Sequence, residues 1–334
     1  MQIAIYGAGA VGCYLGAVLH LEGLQVSLIG RSQMRQHIHA AGGIHISDYL
    51  GNEQLAYDIH FTDQQRVLGE ADVVLVTVKC HDINSAADAI RHHCRPGTRV
   101  ICLQTGLGCD QILQRRNPEL FIRRGIVAFN ITQLADAHFH RSTAGGVHLE
   151  QCTTLLNIQD ALEEQQIDCW LENDFDAVAW AWLQLNLNNA INALADLPIQ
   201  QQLQQRPFRQ LLSMAIAELN RVARRKRISP ARLTALPASL IPWLLRAPDA
   251  IFQPLAQRLM TIDTSARSSM WQDIQQQQLT EIDYLNGAVC REGQQLGIQT
   301  PVNRLLVTLV RQLERGERQP GISAEEMLLQ LTDG

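Results

Sequence analysis

The first thirty residues limit the fold more than any other part of the chain. Gln2 to Tyr6 reads as a short strand and ends in Gly7. Gly7-Ala8-Gly9-Ala10-Val11-Gly12 follows at once, then a helical run from Cys13 to Leu21 that Gly23 closes, then a second strand, Gln25 to Ile29. Strand, G-x-G-x-x-G, helix, strand is the opening of a Rossmann domain, so the N-terminal half should be α/β with a mainly parallel sheet. Each glycine has its own task. The first allows a tight turn, the second lets backbone approach a pyrophosphate, and the third lets helix pack on sheet. The helix N-terminus then offers unpaired N–H groups and a positive dipole end to phosphates.

The end of the second strand bears on the choice of dinucleotide. An NAD-binding site places Asp or Glu there for the ribose 2′-hydroxyl. This chain has Gly30-Arg31-Ser32, with no carboxylate and a guanidinium suited to a 2′-phosphate. NADP(H) is therefore the expected cofactor. Ala71 to Val78 reads as a buried parallel strand ending in Lys79, and Thr98 to Leu103 as another, ending in Gln104-Thr105-Gly106. Ligands of open α/β sheets gather at the carboxyl ends of strands, which makes Lys79 and Thr105 candidate neighbours of the dinucleotide. Ile126 to Phe129 and Gly146 to Glu150 read as later strands, in a meander. His138 and His140 can face one way on a strand, but two imidazoles without a third ligand argue against a metal.

Composition removes other classes. A formal net charge of −5 gives no domain-sized basic excess, so nucleic acid is not the expected partner. Apolar runs such as Val73 to Val78 are far short of the ~20 residues of a membrane helix. Residues 1 to 19 are apolar but lack a basic lead, so they read as the glycine fingerprint rather than a signal peptide, and a cytoplasmic location is expected. The eight cysteines form no C-x-x-C pair and read as reduced thiols. Cys13, at a helix start, is either an activated thiol or a small residue packed under the cofactor loop. All eleven histidines lie at or before His148, and the only lysines are Lys79 and Lys226, so the C-terminal half has few proton donors.

Strand signals end after Trp170. Asp176 to Leu194 reads as one long apolar helix carrying Asn186, Asn188, Asn189 and Asn192. Phe208 to Arg227 is amphipathic, Met270 to Leu296 reads as a third long helix, and Pro301 opens a fourth. The expected division is 1–172, a Rossmann domain, and 173–334, an all-α domain. Amides on an apolar helix must be satisfied. They bond to neighbouring helices or line a polar substrate site where the domains meet, and their density favours the site.

These features together resemble the ketopantoate reductase family nearly end to end. The resemblance rests on Gly7 to Gly12, Arg31, Val76-Thr77-Val78-Lys79 and the asparagine-rich helix. It is most specific in Ser268-Ser269-Met270-Trp271-Gln272-Asp273, Leu279-Thr280-Glu281-Ile282-Asp283-Tyr284-Leu285-Asn286-Gly287 and Gly297-Ile298-Gln299-Thr300-Pro301-Val302-Asn303. It implies a Rossmann domain plus a helical domain, and NADPH-dependent reduction of a small 2-keto acid or related carbonyl. It is also compatible with a homodimer through the helical domain. By this resemblance Gly7, Ala8, Gly9, Ala10, Val11 and Gly12 hold the pyrophosphate, Arg31 the 2′-phosphate, and Lys79 lies near the adenosine. Glu281 serves cofactor and active site, Ser269 meets the substrate carboxylate, and Asn188 and Asn192 line the substrate pocket.

Two departures stand out. The family's catalytic lysine lies four residues before the first asparagine of that pair, which is Gln184 here, or Trp182 if the register is anchored on Asn186. The family's Leu-x-Asn-Gly reads Leu103-Gln104-Thr105-Gly106, placing Thr105 at the asparagine. An alkoxide formed by hydride addition needs a proton, which an amide cannot supply. A lost acid costs about 10²–10⁴ in rate. Gln184, Glu281 and Asn188 are thus the candidate catalytic positions. Two readings stay open: a reductase with altered acid chemistry, in which Glu281 or Ser269 holds a proton-delivering water, and an NADP-binding protein without turnover that acts as sensor or partner.

Overall fold

A computed structural model describes residues 1–259 and 266–332. The chain divides into two compact units, Met1–Phe175 and Asp176–Gly334.

The first unit holds two sheets. Eight strands, β1 (Gln2–Tyr6), β2 (Gln25–Ile29), β5 (His60–Thr62), β6 (Val73–Val76), β7 (Arg99–Cys102), β8 (Phe121–Val127), β11 (Val147–Glu150) and β12 (Cys169–Glu172), form one sheet. Their order is β12-β11-β8-β7-β6-β1-β2-β5. Every pairing is parallel except β8 with β11. The other sheet has the order β4-β3-β10-β9, from β3 (Ile44–Asp48), β4 (Glu53–Ala56), β9 (Ile131–Ala135) and β10 (His138–Arg141). The two late strands are therefore not a meander. The hairpin of β9 and β10 leaves the main sheet between β8 and β11, and β10 pairs in parallel with β3.

Helix α1 (Ala10–Leu21) touches both sheets, which is why Gly12 to Leu19 are all buried and the run is apolar all round. A Cβ on Gly16 would lie 2.6 Å from Leu28 Cδ2, so this glycine sets how closely α1 meets β2. The remaining helices of the unit are α2 (Ser32–Ala40), α3 (Ile83–His93), α4 (Cys109–Arg116) and α5 (Leu156–Glu164). The crossover from β5 to β6 carries only a six-residue 3-10 helix, Gln65–Glu70.

The second unit is helical: α6 (Phe175–Asn186), α7 (Asn188–Ala195), α8 (Ile199–Gln204), α9 (Arg206–Arg225), α10 (Ile241–Arg246), α11 (Asp249–Leu259), α12 (Ser269–Gln275), α13 (Asn286–Gln295), α14 (Pro301–Glu314) and α15 (Ala324–Thr332). Two long helices read from sequence are interrupted. The asparagine-rich one is split at Leu187, which keeps right-handed helical dihedrals. Around the split, Asn186 Nδ2 donates to Trp182 O (2.8 Å) and Asn189 Nδ2 to Asn186 Oδ1 (3.1 Å), side-chain bonds that compete with the helical ladder. The expected helix over 270–296 stops at Gln275. Gln277 turns left-handed (φ 55°) and Gln278 N donates to Asp273 O at 2.8 Å. Thr280 then ties the loop to α14 through Glu314 Oε1, with N at 2.8 Å and Oγ1 at 2.7 Å. The polar run Gln275 to Gln278 has no apolar face that would keep it helical.

Candidate functional site

Four loops leave the carboxyl ends of four adjacent parallel strands. In sheet order they carry Thr105 after β7, Lys79 after β6, Gly7 to Gly12 after β1 and Arg31 after β2. Strands stand about 4.8 Å apart, so these loops form a row along one sheet edge.

The glycine loop is built for close approach. Gly7 has φ 110°, and a Cβ there would lie 2.6 Å from Val78 N. A Cβ on Gly12 would lie 2.4 Å from Gly7 O, whereas one on Gly9 would meet nothing within 4 Å. Gly7 N and Ala8 N both donate to Ile29 O at 3.0 Å, and Thr77 Oγ1 donates to Gly7 O at 2.8 Å. Cys13 N donates to Gly9 O, so the N–H groups of Ala10, Val11 and Gly12, one helical turn earlier, are those a helix start leaves without internal partners. The open space at Gly9 beside these donors fits a pyrophosphate. Cys13 itself is packing: it is buried, Sγ donates to Ala8 O at 3.4 Å, and burial pushes its thiol up to about 12.

Arg31 is exposed just ahead of α2, and no carboxylate stands between the end of β2 and that helix. Its guanidinium has no hydrogen-bond or ion-pair partner among the described residues. Lys79 is exposed and Thr105 half-buried. Gln104 and Thr77 were missed by sequence reasoning. Gln104 Nε2 donates to Val76 O (2.9 Å) and Val78 O (3.1 Å), tying the loop of Thr105 to that of Lys79. The only signal for Gln104 was position beside a strand end, while Thr77 stood in the motif Val76-Thr77-Val78-Lys79 without a role of its own.

In the helical unit, Gln184 on α6 is 1% exposed; Nε2 donates to Ala238 O at 2.8 Å, and Oε1 is buried without a partner. Trp182 Nε1 is likewise buried and unpaired. Asn188 is half-buried and pairs with Gln202, whose Nε2 donates to Asn188 Oδ1 at 2.7 Å. Asn192 is fully buried. Its Nδ2 donates to Leu197 O (2.8 Å) and Gln202 Oε1 (2.9 Å), and its Oδ1 accepts from Ser268 N (2.9 Å). Ser268 caps α12, its hydroxyl accepting from Trp271 N at 3.1 Å. Ser269, the first residue of α12, is exposed. Glu281 is half-buried on the loop before α13, its carbonyl accepting from Tyr284 N and Leu285 N.

Residues 3–153 match the family model described as Ketopantoate reductase PanE/ApbA, and residues 174–314 match Ketopantoate reductase PanE/ApbA C terminal. The chain belongs to the ketopantoate reductase family. Its relatives include the 2-dehydropantoate 2-reductases of Archaeoglobus fulgidus, 24% identical over 94% of this chain and 98% of that protein, and Vibrio cholerae, 25% identical over 94% and 98%. The fold matches the PanE/ApbA family ketopantoate reductase of Ralstonia eutropha with a TM-score of 0.81 at 27% identity, over 96% of this chain and 100% of that one. D-mandelate dehydrogenase in ternary complex with NADH and anilino(oxo)acetate shares the fold, with a TM-score of 0.76 at 22% identity, over 95% and 99%.

Asn192, expected to line the substrate pocket, has its amide bonded to Leu197, Gln202 and Ser268, which braces α7 against α8 and the start of α12. Asn188 retains an exposed part. The family segment ending in Asn286-Gly287 also has a structural explanation. Asn286 Nδ2 donates to Asn303 Oδ1 (3.0 Å), and buried Glu218 accepts from Val302 N (2.9 Å), Asn303 N (3.0 Å) and Asn303 Nδ2 (2.7 Å). This network caps α14 and ties the first residue of α13 to it. The pair His138 and His140 is spent on Ser47, whose Oγ lies 2.7 and 2.8 Å from their ring nitrogens. Among the described residues no group of three or more His, Cys, Asp or Glu is placed to hold a metal ion, and no helix is long and apolar enough to cross a membrane.

Proposed function

We propose that the chain is an NADPH-dependent reductase of 2-dehydropantoate or a closely related 2-keto acid. The row of Thr105, Lys79, the glycine loop and Arg31 along one sheet edge carries this reading. The naming of its relatives as 2-dehydropantoate 2-reductases supports it. In this reading the N–H groups of Ala10, Val11 and Gly12 hold the pyrophosphate and Arg31 the 2′-phosphate. Lys79 and Thr105 face the dinucleotide from the neighbouring strands. The bound cofactor supplies the hydride.

Ser269 receives the substrate carboxylate at the start of α12, Asn188 orients the substrate, and Glu281 serves cofactor and substrate. Gln184 has no proton to give, and one of its two amide hydrogens is committed to Ala238 O. The proton therefore comes from a water held by Glu281 or Ser269, and ketopantoate turnover is slow. The committed, uncharged Gln184 is also what favours a second reading, an NADP-binding sensor without turnover. We place the reductase first because Ser269, Glu281 and Asn188 are retained. The domains of this reading are 1–172 for the dinucleotide and 173–334 for the substrate. A homodimer through the helical unit is part of the proposal; the Staphylococcus aureus ketopantoate reductase, 19% identical, is dimeric. NADPH oxidation followed at 340 nm with a panel of 2-keto acids tests the reading. Consumption with at least one of them supports it, and tight NADPH binding with no turnover on any establishes the sensor instead.

A further inference from the structure

A cavity lies at the end of the same sheet opposite the glycine loop. It has a volume of about 450 Å³ and is lined by the amino ends of β1 and β2, Gln2 to Ala4 and Gln25 to Ser27, with Asp58, His60, Val67 and Glu70 around them. That volume is within the range of small-molecule sites. The glycine loop leaves the carboxyl end of β1, so the two sites are separated by the length of the strand.

The cavity has a cause in the crossover. Gly16 of α1 approaches Leu28 and Ile5, so these residues face α1. By strand alternation Ala4 and Ser27 face the other way. His60 pairs with Ser27 in register, and Tyr6, on the same face as Ala4, accepts at its hydroxyl from Gln65. That face is covered by the 3-10 helix Gln65–Glu70, six residues long, where a full α-helix would fill the space. The residues left on the floor are small or polar: Ala4, and Ser27, whose Oγ lies 2.9 Å from His60 Nδ1.

The lining sets the ligand's charge. It contains two carboxylates, Asp58 and Glu70, two imidazoles, His20 and His60, and no lysine or arginine. Neither carboxylate has a hydrogen-bond or ion-pair partner among the described residues. The Ser27–His60 pair adds one acceptor and one donor, and Leu24 and Val67 add apolar wall. An anion, including a keto acid or a nucleotide phosphate, meets the two unpaired carboxylates here. A small cation carrying N–H donors and a short alkyl part meets acceptors and methyl groups. The geometry points to a binding site for a small alkyl-ammonium compound at the amino edge of the Rossmann sheet, separate from the dinucleotide site. It stands independently of the reductase reading.

Calorimetric titration of the full chain with 1,4-diaminobutane, at fixed ionic strength, tests this site, with n-butyrate as the anionic control. The diamine is expected to bind saturably and butyrate not at all. The double variant Asp58→Asn, Glu70→Gln should weaken the diamine by about tenfold or more. Val67→Phe, which narrows the cavity, should weaken it while NADPH binding stays at the wild-type level, showing that the fold is intact. Absence of saturable heat up to about 10 mM diamine would overturn the proposal. So would an affinity unchanged in both variants, or a preference for butyrate.

Discussion

Arg31 and Gln184 carry the two sharpest single-residue expectations. Arg31 is exposed beside a strand end without a carboxylate, and in the proposed reading its guanidinium serves a 2′-phosphate. Arg31→Ala should weaken NADPH at least about tenfold more than NADH, as read by fluorescence titration of both. Equal losses for the two dinucleotides would remove Arg31 from cofactor choice. Gln184→Lys restores an ammonium to a position that is 1% exposed. Burial disfavours the charged form, which lowers the lysine's pKa and makes it a better proton donor. Ketopantoate reduction should rise by up to about 10²-fold, mainly in kcat, because the proton is needed in the transition state. The control is Trp182→Lys, which tests the alternative register. No gain from either would favour the sensor. Brisk wild-type turnover would show that another group already delivers the proton.

Within single elements, the glycine loop separates stability from binding. Gly12→Ala sets a Cβ 2.4 Å from Gly7 O, so it should destabilise the fold by roughly 1–3 kcal/mol. Gly9→Ala meets nothing within 4 Å. It should melt like the wild type yet lose dinucleotide affinity, because the methyl takes space that the proposed reading gives to the pyrophosphate. A Gly9→Ala protein with unchanged NADPH affinity would mean that the phosphates lie elsewhere.

The hairpin of β3 and β4 offers a pH test. Burial pushes the Asp48 carboxyl up, but bonds from the Asn52 side chain and from the N–H groups of Asn52 and Leu50, with Arg141 nearby, outweigh it and hold the group below the usual range. A lowered folded pKa gives stability that is fully present above the unfolded value, about 3.9, and is lost as pH falls through the folded value. Asp48→Asn should therefore cost about 1–2 kcal/mol at pH 7, measured by urea unfolding, and progressively less below about pH 4. An equal cost at both pH values would assign the effect to packing rather than charge.

For the whole chain, ligand linkage supplies the test. A ligand that binds only the folded state stabilises it by about 2.7 kcal/mol at a concentration one hundred times its Kd. At equal concentrations, NADPH should raise the melting temperature more than NADH. Arg31→Ala should erase that difference without moving the melting temperature of the free protein. A larger rise with NADH would overturn the cofactor assignment. The amine site should add its own increment with 1,4-diaminobutane, and this increment should survive Arg31→Ala, since the two sites lie at opposite ends of β1.

Much of the N-terminal architecture was legible because its signals are local. A glycine fingerprint between two apolar runs specifies turn, helix start and strand direction within a few residues. The parallel strands from Val73 and Arg99 follow from short buried runs ending in polar loops. The helical half was legible as helical for the same reason, through apolar spacing. Its interruptions at Leu187 and after Gln275 were not, because they depend on side-chain bonds made around those points. The roles of amides and imidazoles were hidden more deeply. Asn188 and Asn192 look alike in sequence, and only partners as distant as Gln202 and Ser268 distinguish the half-exposed amide from the consumed one. His138 and His140 are spent on Ser47 because β10 pairs with a strand some ninety positions away. Nor does any residue type announce the cavity under Gln65–Glu70, which exists because a short crossover leaves part of a sheet face uncovered. Backbone direction and apolar periodicity are written locally; which polar group is satisfied, and which remains to meet a ligand, depends on neighbours that only folding brings together.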